Sequence, residues 1–283
     1  MRKDVRKGDM VGAGKTYRLG RIFGRDGRTM VLPVDHGLML GRISGLEDPV
    51  AMTRSAIEAG CDGLLMSAGL VRATAEFFAE RTSPARLLTV DTLFWDDQDA
   101  ATAASSVVAS IRTAARLGVD AVKLLMAWDF PAVQRTATAA RIARVVEEAD
   151  RWEIPVMVEP VTLRETSRER AAELTVDAAR IATELGADIL KVAYPGKPEL
   201  LAALVAESRL PVVILGGPRV STIADLVEVV DEALGAGASG IVIGRQVWQR
   251  PPAERAAVMR ALVELVHGRV SAAAALEGLA SVA

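Results

Sequence analysis

The chain of 283 residues has one cysteine, two histidines and no excess of basic residues. The lone Cys61 excludes an internal disulfide framework and suits a reducing cytoplasm. Placed at the entrance to an apolar run, it reads as a small core residue. His36 and His267 are too few for a histidine-rich catalytic zinc site, although carboxylate ligation of Mg²⁺ is left open by this count. His267 follows an amphipathic run and reads as a helix-end residue. Lys and Arg number 34 against 36 Asp and Glu, a formal net charge of -2, so neither nucleic acid nor a membrane surface is an expected partner. No apolar stretch reaches the roughly 18 residues of a membrane span. The charged first ten residues lack the apolar core of a secretory signal.

What is present is a packed globular composition, 51% hydrophobic. Short apolar runs recur at 30–34, 63–66, 87–90, 121–126, 156–158, 189–193, 212–215 and 240–243. Near-continuous apolar strands are what a parallel sheet covered by helices requires. The segments between them have helical spacing and helix punctuation. Asp48-Pro49 offers an N-cap and an N1 proline, and Gly60 a stop. Gly118 and Gly186 end two further helices, Ser221 can cap a helix running towards Ala236, and Pro251 can open one at 252–266. A joint of glycine, small residue and aspartate recurs at Gly60-Cys-Asp62, Gly118-Val-Asp120 and Gly186-Ala-Asp188, with Gly237-Ala-Ser239 as a fourth version. One supersecondary unit is used many times. The expected fold is α/β, a (β/α)₈ TIM barrel forming a single domain over 1–283. Residues 1–28 are its N-terminal extension, with 18–23 as a short helix plugging the bottom, and 268–283 are a C-terminal helix. An open doubly wound sheet is the alternative, but the first strand ends in Pro33-Val-Asp-His-Gly37 rather than a glycine-rich turn.

Active sites of such barrels lie at the C-terminal strand ends. Charged residues fall there on three adjacent strands: Lys123 on the fourth, Glu159 on the fifth and Lys191 on the sixth. They converge if all point inward, because neighbouring strands lie about 4.8 Å apart. One alternative is a lysine reaching out of a strand end to a carboxylate; another is a buried charge network, though such pairs are weak evidence of stability. The cluster suits imine chemistry. Burial and the nearby Lys123 cation would keep Lys191 neutral, able to attack a ketone. Glu159 would move protons, while Lys123 and Asp35 would hold substrate hydroxyls. Gly216 and Gly217 after the seventh strand, and Gly244 with Arg245 after the eighth, offer a phosphate site of backbone N–H groups and one guanidinium. Arg219 is a weaker candidate.

Arg18-Leu-Gly-Arg-Ile-Phe23, Val34-Asp-His-Gly37, Ala187-Asp-Ile-Leu-Lys191, Gly216-Gly-Pro218 and Ile243-Gly-Arg-Gln-Val-Trp248 resemble the class I, Schiff-base aldolases. Within them the match is to the group of archaeal-type fructose-bisphosphate aldolases and the autoinducer-2 thiolase. The resemblance implies Lys191 as the imine lysine, Asp35 as an active-site acid, and Gly217, Gly244 and Arg245 as phosphate contacts. The archaeal-type catalytic tyrosine after strand five is missing, since Val158-Glu-Pro-Val-Thr162 stands there. Asp120-Ala-Val-Lys-Leu-Leu-Met126 with Asp129, and Val156-Met-Val-Glu159, resemble instead tagatose-1,6-bisphosphate and sulfosugar-phosphate aldolases, where a glutamate carries the proton and a strand-four lysine contacts substrate.

The expected activity is metal-independent and cofactor-free aldol cleavage of a phosphorylated ketose to dihydroxyacetone phosphate or a related triose phosphate, in a cytoplasmic homo-oligomer. The alternatives are a Schiff-base thiolase using coenzyme A, a sugar-phosphate isomerase, and a non-catalytic sugar-phosphate sensor.

Overall fold

A computed structural model describes residues 12–96, 99–217 and 222–280, so the first ten residues and Ser221 lie outside the described residues. In chain order the strands are β1 (Thr29–Pro33), β2 (Gly63–Met66), β3 (Ala85–Thr89), β4 (Asp91–Asp96), β5 (Asp99–Val107), β6 (Ala121–Ala127), β7 (Val156–Val161), β8 (Ile189–Ala193), β9 (Val212–Leu215) and β10 (Gly240–Val242). All but β4 and β5 close into one parallel barrel in the order β1-β2-β3-β6-β7-β8-β9-β10. Because β1 pairs with both β2 and β10, the sheet has no free edge and the open doubly wound alternative is excluded. Each of the eight apolar runs supplies one barrel strand.

The recurrent aspartate has a physical reason. At each joint the glycine reverses the chain out of its helix with positive φ, and the aspartate then accepts the N–H at the start of the neighbouring strand. Asp62 Oδ2 takes the Met30 N–H at 2.7 Å, Asp120 Oδ2 the Arg86 N–H at 2.8 Å, and Asp188 Oδ2 the Val156 N–H at 2.8 Å. The carboxylates thus stitch adjacent strands at the bottom of the barrel, where ladder hydrogen bonds begin.

Alternate residues of each strand face the axis. Val31, Leu65, Leu87, Ala121, Met157, Ile189, Val213 and Val242 form one inner cluster. The helix Ala13–Ile22 closes it from below, its Ile22 and the following Phe23 joining the same cluster. The plug is pinned by Lys15, whose Nζ lies 2.6 Å from Asp150 and 2.8 Å from Asp188. The expected plug therefore exists and starts five residues earlier than the 18–23 motif.

Two features differ from the sequence reading. The hairpin β4–β5 intervenes before the helix Ile111–Leu117, where only helical spacing was read. The helix Ile223–Gly235 is capped by Thr222 in a reciprocal capping box with Asp225. The last described helix, Ala272–Ala280, is rich in alanine, and Cys61 is buried, its thiol pushed up to about 12 by burial and by Asp62.

His267 caps the helix Pro252–Val266 and bridges two carboxylates, Nδ1 to Asp26 at 2.6 Å and Nε2 to Asp62 at 3.0 Å. Burial would lower its pKa, but the two aspartates outweigh this and raise it above the ordinary value of 6.5. The folded state thus holds the proton more tightly than the unfolded one. Its stabilisation is complete below that ordinary value and is lost as pH rises through the higher folded value. His267→Ala is expected to destabilise the protein by about 1–3 kcal/mol at pH 6, with the gap to wild type narrowing at alkaline pH in urea unfolding. A pH-independent gap would contradict this.

Candidate active site

Positions two beyond the inner cluster also face the axis. From Leu87, Ala121, Met157 and Ile189 that step reaches Thr89, Lys123, Glu159 and Lys191. Strand register sets them side by side: Thr89 pairs with Lys123, Leu125 with Glu159, and Val158 with Leu190. Glu159 lies between the two lysines, Oε2 2.6 Å from Lys123 Nζ and Oε1 2.6 Å from Lys191 Nζ. Both lysines are 6% exposed and the glutamate 7%, so the cluster is buried.

Its protonation is asymmetric. Burial pushes the Lys191 pKa down; Lys123 adds to this, and the opposing pull of Glu159 and Asp35 does not cancel it. Burial acts the same way on Lys123, but Glu159, Asp35 and Asp91 overcome it and hold that amine above the ordinary lysine value. Burial would raise Glu159, yet its two lysines hold it at about 2. Glu159 is thus an anion shared by two amines, one whose proton is held more tightly than usual and one whose proton is held less tightly.

Asp35 lies two residues past the end of β1. Its Oδ2 accepts the Thr89 hydroxyl and its Oδ1 lies 3.4 Å from His36 Nδ1. Burial would raise its pKa, but His36, Lys123 and Lys191 hold it below the usual carboxylate range. Asp35 therefore joins the same electrostatic group as the three strand residues.

Gly216 and Gly217 follow β9, and Gly244 and Arg245 follow β10, its neighbour in the barrel. The side-chain amide of Gln246 ties the two loops, donating to the Gly216 carbonyl at 2.8 Å. Gly244 leaves no room for a side chain: a Cβ there would lie 2.8 Å from the Pro33 carbonyl oxygen and 2.7 Å from Trp248 Nε1. The Trp248 indole itself donates to Pro33 O at 3.2 Å and meets the His36 ring edge-on at 5.1 Å. Arg245 is partly buried, which lowers its pKa, while Glu159 pulls the other way, so the guanidinium lies within the field of the cluster. Pro218 and Arg219 lie outside the described residues.

The sequence reading passed over Asp91 and Arg141. Asp91 is 2% exposed, and both its oxygens accept the Leu125 N–H, at 3.1 and 3.0 Å. Burial raises it to about 6 against the pull of Lys123 and Arg141. Arg141 Nη2 lies 3.4 Å from Asp91 and donates to Leu125 O at 2.8 Å. Asp91 lies two residues past β3 and opens β4; its depth could be read only once the hairpin is in place. Asp129 joins the loops after β6 and β7 through the Glu165 N–H at 2.9 Å. Among the described residues no three His, Cys, Asp or Glu side chains gather as metal ligands would, and no helix is long and apolar enough to cross a membrane.

The family model of the DeoC/LacD family aldolases matches residues 29–250. A class 1 fructose-bisphosphate aldolase of Thermoproteus tenax is 33% identical over 265 residues, 90% of this chain and 96% of that protein. The 2-amino-4,5-dihydroxy-6-oxo-7-(phosphonooxy)heptanoate synthase of Streptomyces griseus is 30% identical over 272 residues, 94% of this chain and 96% of its own length. Among solved structures, an archaeal fructose-1,6-bisphosphate aldolase with its catalytic lysine bound to the carbinolamine intermediate superposes with a TM-score of 0.75. It is 30% identical, covering 90% of this chain and 100% of its own. With the family model spanning every barrel strand and relatives at 30% identity or more matched over nearly their whole length, the chain belongs to the DeoC/LacD family of aldolases.

Proposed function

We propose that this aldolase cleaves a phosphorylated ketose through a Schiff base on Lys191. The observation that carries the reading is Glu159 placed 2.6 Å from each of two buried lysines whose pKa values are pushed in opposite directions. Neutral Lys191 Nζ attacks the substrate ketone, and Glu159 relays the proton to the carbinolamine hydroxyl as water leaves. In the resulting iminium, Glu159 takes the proton of the hydroxyl β to the imine carbon. The C–C bond breaks, the aldehyde departs, and the electron pair passes into the iminium to give an enamine. Protonation of the enamine and hydrolysis then release a ketone phosphate and free Lys191. Lys123 stays charged, bonds a substrate hydroxyl and disfavours a second cation. Asp35, held ionised, orients another hydroxyl. Glu159 stands in for a catalytic tyrosine here: the Tyr194 hydroxyl is committed to Glu232 at 2.6 Å, and Tyr17, 73% exposed, belongs to the bottom helix.

The N–H groups around Gly216, Gly217 and Gly244, together with Arg245, are proposed to take the phosphate, and the two relatives named above both act on phosphorylated compounds by their names. Arg245→Ala is expected to raise KM roughly tenfold to hundredfold, the worth of a charge-assisted contact, with kcat within about threefold. A collapse of kcat at unchanged KM would remove Arg245 from phosphate binding. Buried Cys61 fits a reducing cytoplasm, and the exposed Phe94, Val108 and Val133 fit a homo-oligomer. A panel of ketose phosphates, monitored for triose phosphate release, tests the reaction. Release from at least one is expected; turnover only with coenzyme A would favour acyl transfer instead.

A further inference from the structure

Beside the barrel mouth and outside the ring of strands, the β4–β5 hairpin and the helix Ala132–Arg151 flank a half-open cavity of about 410 Å³. That volume suits a small molecule. None of Lys123, Glu159, Lys191 or Asp35 lines it. Its helix wall carries Thr138, Arg141 and Arg144 at three-residue spacing, one stripe on one face. The hairpin contributes Ser105 and Leu93, and Phe130 adds a further apolar face. The lining holds two guanidinium groups and no carboxylate.

Arg141 is held by one end only. Its Nη2 serves Leu125 O and Asp91, whereas Nε and Nη1 are buried and donate to no protein atom. The Ser105 hydroxyl is likewise buried without a partner. Leaving such groups unmatched is costly. A plain packing void would be walled by apolar side chains, and an arginine needed only for solubility would not have a side chain merely 12% exposed. Paired guanidinium groups beside a free hydroxyl match an oxyanion, and the opposite apolar face matches a short carbon body.

We propose that this cavity is a binding site, separate from the substrate site, for a small ligand bearing an oxyanion, phosphate or carboxylate, which Arg141 and Arg144 grip. Arg141 also contacts Asp91 and so links the pocket to the edge of the catalytic cluster.

Isothermal titration of the full chain with inorganic phosphate, and separately with acetate, tests this. The expected result is a saturable site that Arg144→Ala weakens about tenfold or more, that Ser105→Ala weakens by a smaller factor, and that Arg245→Ala leaves within about twofold. Phosphate bound at the barrel mouth behaves in the opposite way, lost in Arg245→Ala and kept in Arg144→Ala, so failure of either site is seen separately. Tighter phosphate assigns a phosphorylated ligand and tighter acetate a carboxylate. Arg144 is exposed, and circular dichroism with Arg144→Gln as a second variant controls for folding. If neither anion shows a site sensitive to Arg144 in folded protein, the inference is overturned.

Discussion

Lys191→Met keeps the fold and loses turnover by at least about 10⁴-fold, the scale on which removal of a covalent nucleophile acts. Methionine fills nearly the same volume within β8. The variant also leaves Glu159 paired with Lys123 at 2.6 Å, so no charge is stranded in the core. Lys191→Arg is expected to be equally inactive, because a guanidinium keeps its proton and cannot add to a carbonyl. In wild type the imine-forming step needs the neutral amine. Activity therefore falls with decreasing pH through a midpoint below 10.5, the ordinary lysine value, since burial and Lys123 push Lys191 down. Lys123→Met removes the flanking cation and should move that midpoint upward in kcat/KM profiles. An unchanged midpoint would mean that Lys123 does not tune its neighbour, and residual activity within tenfold in Lys191→Met would remove the imine from the mechanism.

Glu159→Gln lowers kcat by roughly 10² to 10⁴, the usual worth of a positioned proton carrier, and leaves KM within about threefold. The amide keeps the shape but can neither take a proton from the substrate hydroxyl nor return one. It also withdraws the carboxylate that touches both lysines, which removes an influence holding Lys191 charged. Dehydration of the carbinolamine slows too, since Glu159 serves that step, but a more easily deprotonated Lys191 partly offsets the loss, whereas nothing offsets the missing base in cleavage, so the imine accumulates. Single-turnover mixing followed by borohydride should trap the adduct without releasing the aldehyde. A variant that mainly raises KM, or traps nothing, would show that Glu159 positions substrate or Lys191 instead of moving protons.

The barrel was legible because its strands are buried on both faces, so each announces itself as an apolar run whatever its neighbours are. The buried charged cluster was legible for the complementary reason. Lys123, Glu159 and Lys191 interrupt those runs at inward-facing positions, where a charge is expensive unless another meets it. What escaped depends on contacts distant in sequence. β5 is built of alanine, serine and threonine around Asp99–Val107, which carries no strand period of its own; it becomes a strand by pairing with β4. Asp91 resembles any polar residue ending a strand until the hairpin folds over it and Leu125 offers its N–H. Arg141 lies on a helix face rich in charge and reads as solvent-facing, yet the hairpin makes that face a cavity wall. The joint aspartates were seen as a repeat, but their partners, Met30, Arg86 and Val156, start the adjacent strands and emerge only from the closed sheet.

Reduction with borohydride in the presence of a cleaved ketose phosphate, followed by peptide mass spectrometry, tests the central claim most directly. The account predicts one ketone-derived mass increment, on Lys191, absent from Lys191→Met and from protein reduced without substrate. An increment on Lys123, or continued turnover with no lysine modified, would contradict it.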